Sequence, residues 1–265
     1  MKILAHVLLL ACASFVTVGS YGQTASLAAS TPAAAPVTTT QTLTPKQIAT
    51  MEEKLNDWPQ LGRYRADNAA LPPVAAGEQR VVFYGDSITD GWGRRPGTES
   101  TFFPGKPYVN RGISGQTTPQ MLVRFRQDVI DVHPAAVLIL AGTNDIAGNT
   151  GPMTQEMTED NFRSMADLAH ANGIKVILAS ITPAFDYPWR RGLEPAPQIR
   201  ALNTWLKDYC ERHGYTYLDY YTALTDAEGG MKPGTSVDGV HPNAQGYAIM
   251  EPLAQAAIDK TLGNK

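Results

Sequence analysis

The sequence predicts a three-layer α/β fold, in which helices cover both faces of a central five-stranded parallel sheet. Two observations predict this fold. From residue 80 onward, five short apolar segments alternate with longer segments of helical periodicity, and such alternation is typical of a parallel sheet. The short segments are also apolar at successive positions and bounded by turn residues, as strands buried on both faces are.

The N-terminal part of the chain precedes this pattern. Lys2 is followed by an apolar run over residues 3–18 and then by small residues, so residues 1–22 are predicted to be a secretory signal peptide. A lipoprotein attached through Cys12 is the alternative. Residues 23–42 are almost all Ala, Thr, Ser, Pro and Gln, which is typical of a disordered linker. We therefore expect a secreted or periplasmic protein.

The predicted folded domain spans residues 43–265 and begins with a helical extension over residues 43–79. Thr44 and Pro45 are a helix-start pair, with a capping hydroxyl before a proline in the first turn. A helix is expected to continue to about residue 57, and the Pro- and Gly-containing residues 58–77 are expected to form a loop on the domain.

The remaining elements follow in order. The predicted strands cover residues 81–84, 108–110, 136–141, 175–179 and 215–218. Helices are predicted over residues 118–131, 158–172 and 198–213, with a last one after Pro242, because each segment repeats apolar residues at helical spacing.

Composition excludes several functional classes. The chain has 265 residues and a net charge of -3, without the basic stripe expected of a nucleic-acid-binding protein. No segment of the mature region is long and apolar enough for stable membrane insertion. No group of His, Cys and carboxylate residues has metal-ligand spacing, so neither a metal nor another cofactor is predicted. Cys210, the one cysteine beyond the signal peptide, is expected to be a buried, inert thiol.

Four polar loops are the candidate site. They cover residues 85–89, 111–115, 142–145 and 238–242, and the first three directly follow predicted strands. Because ligands of open parallel sheets bind beyond the carboxyl ends of the strands, we expect these loops to converge there.

Ser87, His241 and Asp238 are the candidate catalytic residues in these loops. Ser87 lies at a strand-to-helix turn, where a serine can also be a helix cap. Asp238 precedes His241 by three residues, so one loop can present an imidazole and the carboxylate that orients it. A helix N-terminus with a capping aspartate is the alternative for that loop.

The four loops together resemble the blocks of the SGNH (GDSL-type) hydrolase family. Gly-Asp-Ser-Ile-Thr, an isolated glycine, Gly-Thr-Asn-Asp and Asp-Gly-Val-His-Pro occur in the family's order across the predicted domain. The resemblance implies the flavodoxin-like SGNH fold, with Ser87 as nucleophile, His241 as base and Asp238 as its orienting partner. It also implies an oxyanion hole of the Ser87 and Gly115 backbone N–H groups and the Asn144 amide; otherwise Gly115 and Asn144 are ordinary turn residues.

The implied activity is ester hydrolysis through an acyl-enzyme. We expect a small-molecule or polysaccharide ester as substrate, with a short acyl group such as acetyl. A lysophospholipase or thioesterase is the first alternative, and a non-catalytic carbohydrate-binding relative is an alternative from another class.

Four aromatic residues are candidate substrate contacts. Phe185, Tyr187 and Trp189 lie in a Pro-containing loop after the fourth predicted strand, and Trp92 lies five residues after the predicted nucleophile. We expect their rings to face a sugar in the crevice. The alternative is that these rings pack the loop onto the domain.

Overall fold

The computed structural model describes residues 43–264, except for the side chains of residues 53 and 54. The predicted signal peptide (residues 1–22), its lipid-anchored alternative at Cys12 and the predicted linker (residues 23–42) lie outside the described residues. The domain boundaries therefore stay predictions.

A five-stranded sheet is the centre of the fold. All its strands are parallel, and their order is β2-β1-β3-β4-β5, the flavodoxin-like order. In chain order the strands are β1 Val81–Gly85, β2 Tyr108–Gly112, β3 Ala136–Leu140, β4 Lys175–Ala179 and β5 Thr216–Leu218. The predicted fold class is confirmed, and the five strands lie within one or two residues of their predicted ends.

Helices connect and flank the strands. The longer ones are α1 Pro45–Asn56, α4 Thr118–Asp128, α6 Gln155–Ala171, α7 Ala196–His213 and α9 Ala244–Leu262. The shorter ones are α2 Arg65–Ala70, α3 Ser87–Gly91, α5 Thr143–Ala147 and α8 Tyr221–Leu224.

Alternate side chains of each strand point to opposite faces of the sheet and produce two cores. Val82 and Val137 pack in one core with apolar residues of α4, α6 and α7. Phe83 and Leu138 pack in the other with residues of α9, such as Tyr247. The three predicted layers follow from this period of two in the strands.

Helix ends differ from the predictions for local reasons. α6 begins three residues early because the Thr154 side chain accepts a hydrogen bond from the Met157 N–H and caps the helix there. α4 ends at Asp128 rather than residue 131; a single 3-10 turn follows, and His133 adopts a left-handed conformation (φ 51°). Pro134 disfavours the helical conformation at the residue before it.

Residues 57–72, here called the N-terminal strap, lie along α4 and β2 and contain the unpredicted helix α2. Its backbone is anchored by glutamine side-chain amides, which donate to strap carbonyls: Gln120 to Trp58 at 2.7 Å, Gln116 to Pro59 at 2.8 Å and Gln127 to Leu61 at 2.9 Å. Tyr64 is completely buried, and its hydroxyl donates to the Gly112 carbonyl.

Arg124 of α4 is a fully buried cation that connects several segments. Its guanidinium donates to the carbonyls of Gly85 at 3.1 Å and Arg111 at 2.9 Å, and it pairs with the buried Asp128 at 3.1 Å. It therefore joins the last residue of β1 to β2.

Cys210 lies on α7 against the sheet and is a free thiol with almost no exposure. Burial raises the pKa of this thiol to about 12, in agreement with the expected inert side chain. Among residues 43–264, no helix has the length and apolar character needed to cross a bilayer.

Candidate active site

Ser87 lies directly beyond the C-terminal end of the sheet. β1 ends at Gly85, Asp86 caps α3 by accepting a hydrogen bond from the Ile88 N–H at 3.0 Å, and Ser87 is the first residue of that helix. A Cβ at Gly85 would lie 2.6 Å from the Leu140 carbonyl oxygen of the neighbouring strand β3, so only glycine fits at this close approach.

His241 and Asp238 meet Ser87 from the turn that precedes α9. The distance from Ser87 Oγ to His241 Nε2 is 2.9 Å, and His241 Nδ1 lies 2.7 Å from Asp238 Oδ2. A tautomer with the proton on Nδ1 satisfies both bonds, with the serine hydroxyl donating to Nε2. The other carboxylate oxygen of Asp238 accepts from the backbone N–H groups of Val240 (3.0 Å) and His241 (2.8 Å).

The environment of Asp238 favours its ionised form. Burial raises the pKa of this carboxyl, but the hydrogen bonds from the His241 backbone and ring outweigh burial, and the pKa is lowered overall. An ionised Asp238 can hold the imidazole in the required tautomer and stabilise the imidazolium that forms when the ring accepts a proton.

Gly115 lies in the loop after β2, and Asn144 lies in the short helix α5 after β3. Gly115 has φ +80°, and space exists for a Cβ, so conformation rather than crowding favours glycine there. The Asn144 amide donates to the Gln116 carbonyl at 2.9 Å, and its nitrogen lies 3.4 Å from Asp86 Oδ2. The contact with Asp86 is the longer of the two, so it is the weaker hydrogen bond of this amide.

Asn149 connects these two residues and was not identified from the sequence. Its side-chain amide donates to Asn144 Oδ1 at 2.8 Å and to the Gly115 carbonyl at 3.3 Å. Its own Oδ1 accepts from the Trp189 indole N–H at 3.2 Å. The available clue in the sequence is an asparagine five residues after Asn144, which by itself predicts no more than a turn.

Two buried carboxyls lie close to these groups. Burial raises the pKa of Asp86 to about 7 and that of Asp145 to about 6. Asp145 accepts hydrogen bonds from the backbone and hydroxyl of Thr118 at the start of α4. Asp86 thus caps α3, and Asp145 joins the segment after β3 to the start of α4.

The β4–α7 loop brings Trp189 to the edge of the triad. The Trp189 ring is 43% exposed, and its centroid lies 5.9 Å from that of His241. Phe185, from the same loop, is 58% exposed. Both rings are available to a ligand.

The predictions that Trp92 and Tyr187 contact the substrate are wrong, because both side chains are buried. Trp92 is only 2% exposed, stacks on Tyr247 and packs in the core beneath α9, because the short helix α3 turns it inward. Tyr187 has no exposed surface and stacks behind Trp189 with ring centroids 5.0 Å apart. Trp92 is therefore a core residue, and Tyr187 supports the loop.

The predicted triad and oxyanion residues thus occupy one edge of the sheet. Among the side chains that the structure describes, which leave out those of residues 53 and 54, no cluster of His, Cys, Asp or Glu has the geometry to hold a metal ion. The arrangement can remove a proton from a serine hydroxyl and provide hydrogen-bond donors to an oxyanion.

Comparisons with known proteins give independent findings. The model of the GDSL-like lipase/acylhydrolase family matches residues 83–249. A solved GDSL-like lipase of Bacteroides thetaiotaomicron is 46% identical, with a TM-score of 0.73 and coverage of 77% of this chain and 98% of that one. An acetylxylan esterase of Geobacillus stearothermophilus is 27% identical over 208 residues, which are 67% of this chain and 92% of the esterase. Esterase TesA of Pseudomonas aeruginosa is 30% identical over 138 residues, 51% of this chain and 60% of that protein.

Proposed function

The chain belongs to the GDSL-like lipase/acylhydrolase family of carboxylic ester hydrolases, and from this premise we propose that it removes short acyl groups, above all acetyl, from carbohydrate esters. The proposed reaction proceeds through an acyl-enzyme on Ser87.

The hydrogen-bonded series Ser87–His241–Asp238 carries this proposal. His241 Nε2 takes the Ser87 proton as Oγ attacks the ester carbonyl carbon. The tetrahedral oxyanion accepts hydrogen bonds from the Ser87 and Gly115 backbone N–H groups and the Asn144 amide. The C–O bond to the alcohol then breaks, and His241 returns the proton to the departing oxygen. Water, activated in the same way, releases the acid and regenerates Ser87.

Two features support a short acyl group and a sugar alcohol. The similarity to an acetylxylan esterase agrees with an acetylated carbohydrate substrate. Trp189 beside His241 offers an exposed ring where the alcohol departs, and an aromatic ring can cover the C–H face of a sugar.

Nucleophile identity is tested with a fluorophosphonate. The reagent should inactivate the enzyme and modify Ser87, as located by peptide mass spectrometry. Ser87→Ala should lower kcat on the order of 10⁶-fold, by analogy with another serine hydrolase, and keep the thermal unfolding midpoint. Ser164→Ala on α6 is the matched control and should retain full turnover. Normal turnover of Ser87→Ala would remove the assignment.

Acyl specificity is tested with 4-nitrophenyl esters of increasing chain length. We expect efficient cleavage of acetate, decreasing cleavage through propionate and butyrate, and a steep decline beyond them. Faster cleavage of long chains would favour the lysophospholipase or thioesterase alternative. Absence of hydrolysis across the series would favour a binding protein.

We also propose that the protein acts outside the cytoplasm, either secreted or periplasmic. The apolar run after Lys2 supports export. Cell fractionation and N-terminal sequencing of the mature protein test this proposal, with a first residue close to position 23 as the expected result. A lipid-modified Cys12 at the N-terminus would instead support the lipoprotein alternative.

A further inference from the structure

A cavity of about 510 Å³ lies between the N-terminal strap and the segments after β2 and after α5 that carry Gly115 and Asn149. We call it the strap cavity. The strap side includes Asp57, Trp58 and Gln60, and the opposite side includes Gly115, Asn149 and Thr150. Its volume is within the range of about 300–1,000 Å³ that ligand pockets occupy.

The strap cavity adjoins the proposed site, because two of its lining residues belong to that site or contact it. Gly115 is a proposed oxyanion donor, and Asn149 contacts both Asn144 and Trp189. A substrate whose carbonyl oxygen lies beside Gly115 therefore has the strap cavity as adjoining space.

The residues that line this cavity suit a polyhydroxylated ligand better than a hydrocarbon chain. They are polar residues and a glycine, together with a single aromatic ring, that of Trp58. Trp58 is 42% exposed. Apart from the undescribed side chains of residues 53 and 54, no group within residues 43–264 forms a hydrogen bond with the Trp58 indole N–H or with the Gln60 side-chain amide. Both groups can therefore bond a ligand.

The hydrogen bonds that hold the strap do not involve the Trp58 side chain. The backbone carbonyls of the strap receive the glutamine amides described above, and Asp57 accepts hydrogen bonds from the N–H groups of Leu61 (2.7 Å) and Gly62 (2.8 Å). Gln60 also has φ +56°, a left-handed conformation that costs energy for residues other than glycine. A fixed strap therefore presents a ring and an amide toward the cavity.

This inference rests on the proposed function: we propose that the strap cavity binds a neighbouring sugar unit of the substrate, while the sugar that carries the acyl group lies beside Trp189 and His241. The Trp58 ring covers one face of a sugar, and the Gln60 amide bonds its hydroxyl groups. The N-terminal extension is then part of the specificity site.

Kinetics with two esters test the proposal. Trp58→Ala should raise KM for an acetylated xylo-oligosaccharide about three- to tenfold, the range expected for one aromatic contact. It should leave kcat for this substrate, and both constants for 4-nitrophenyl acetate, unchanged. Trp58→Phe keeps a ring and should restore most of the affinity. Gln60→Ala should act in the same direction as Trp58→Ala.

Met51→Ala is the matched control, because Met51 is an exposed apolar residue of α1 that does not line the cavity. It should change neither substrate's KM. Equal losses on both esters in Trp58→Ala would make Trp58 a structural support, and an unchanged oligosaccharide KM would exclude the cavity as a sugar site. Either result overturns the inference.

A binding measurement separates this inference from the proposed function. In a Ser87→Ala background, calorimetric titration with the acetylated oligosaccharide should show affinity that Trp58→Ala lowers by the same factor. If the wild-type enzyme cleaves acetylated carbohydrate but Trp58→Ala does not weaken this binding, the cavity inference alone fails. If the wild-type enzyme cleaves 4-nitrophenyl acetate but neither binds nor cleaves the oligosaccharide, the carbohydrate function fails and the inference fails with it.

Discussion

The Asn144 amide is the proposed side-chain donor to the oxyanion. Because negative charge develops there only as the tetrahedral intermediate forms, its removal should affect chemistry more than binding. We expect Asn144→Ala to raise the activation free energy by about 2.7–4 kcal/mol, mainly through kcat. Steady-state kinetics with 4-nitrophenyl acetate measure this, and a rise in KM alone would instead make Asn144 a substrate-positioning residue.

Asn149 should act through its neighbours, since its amide holds Asn144 Oδ1 and the Gly115 carbonyl. Asn149→Ala should therefore lower kcat by less than Asn144→Ala does. In the double variant the two losses in activation free energy should not add, because residues of one hydrogen-bond network are coupled. Full additivity in this double-mutant cycle would show that Asn149 acts independently of Asn144.

Asp86 should make stability depend on pH. Its pKa of about 7 in the folded protein exceeds the value of about 3.9 expected in an unfolded chain. The folded state therefore binds more protons between these values, and the free energy of unfolding should fall as pH rises from about 4 to about 7. Asp86→Asn keeps a residue suited to the helix cap and should flatten this dependence in urea unfolding from pH 4 to 8. A slope identical to that of the wild type would contradict the prediction.

Single residues differ in how much the sequence reveals about them. Ser87 and His241 could be proposed because their loops follow a strand or precede a helix and carry recognisable residue combinations. The burial of Trp92 could not be predicted, because it depends on how a five-residue helix turns against α9. Asn149 acts through contacts that form only after three loops meet.

At the scale of elements, α4 depends on a buried ion pair. Arg124→Met would leave Asp128 buried without its cation, and breaking such a pair costs about 3–5 kcal/mol of stability. Arg124→Met/Asp128→Leu should recover part of this loss, but not all, because the Gly85 and Arg111 carbonyls still lose their donor. Urea unfolding of the wild type and both variants measures the difference. Equal stability of wild type and Arg124→Met would refute the prediction.

The strands were predicted better than the helix ends for a physical reason. A buried parallel strand is apolar on both faces, so its residues identify it without tertiary information. The start of α6 depends on one threonine side chain, and the end of α4 depends on the proline that follows it. Helix α2 of the strap was not predicted, because none of its six residues is buried and the sequence therefore shows no apolar helical face there.

For the whole molecule, we expect the extension to be required and the preceding residues to be dispensable. A chain that begins at Leu43 should keep the wild-type unfolding midpoint and kcat. A chain that begins at Glu78 lacks the strap, and the cavity left by the buried Tyr64 alone should cost roughly 3–5 kcal/mol. Thermal unfolding and 4-nitrophenyl acetate hydrolysis of the two chains test this. Unchanged stability of the shorter chain would show that the strap is not part of the fold.

The Cys210 thiol can be used to measure local opening of the fold by chemical labelling. Cys12 lies in the predicted signal peptide, so the mature chain would carry one thiol, between α7 and the sheet. Cys210 is 1% exposed, so a maleimide should react only after a local opening around it, and the rate of labelling under native conditions reports on that opening. Variants that loosen the packing around Cys210 should be labelled faster than the wild type. Variants whose effects are confined to the candidate active site should be labelled at the wild-type rate.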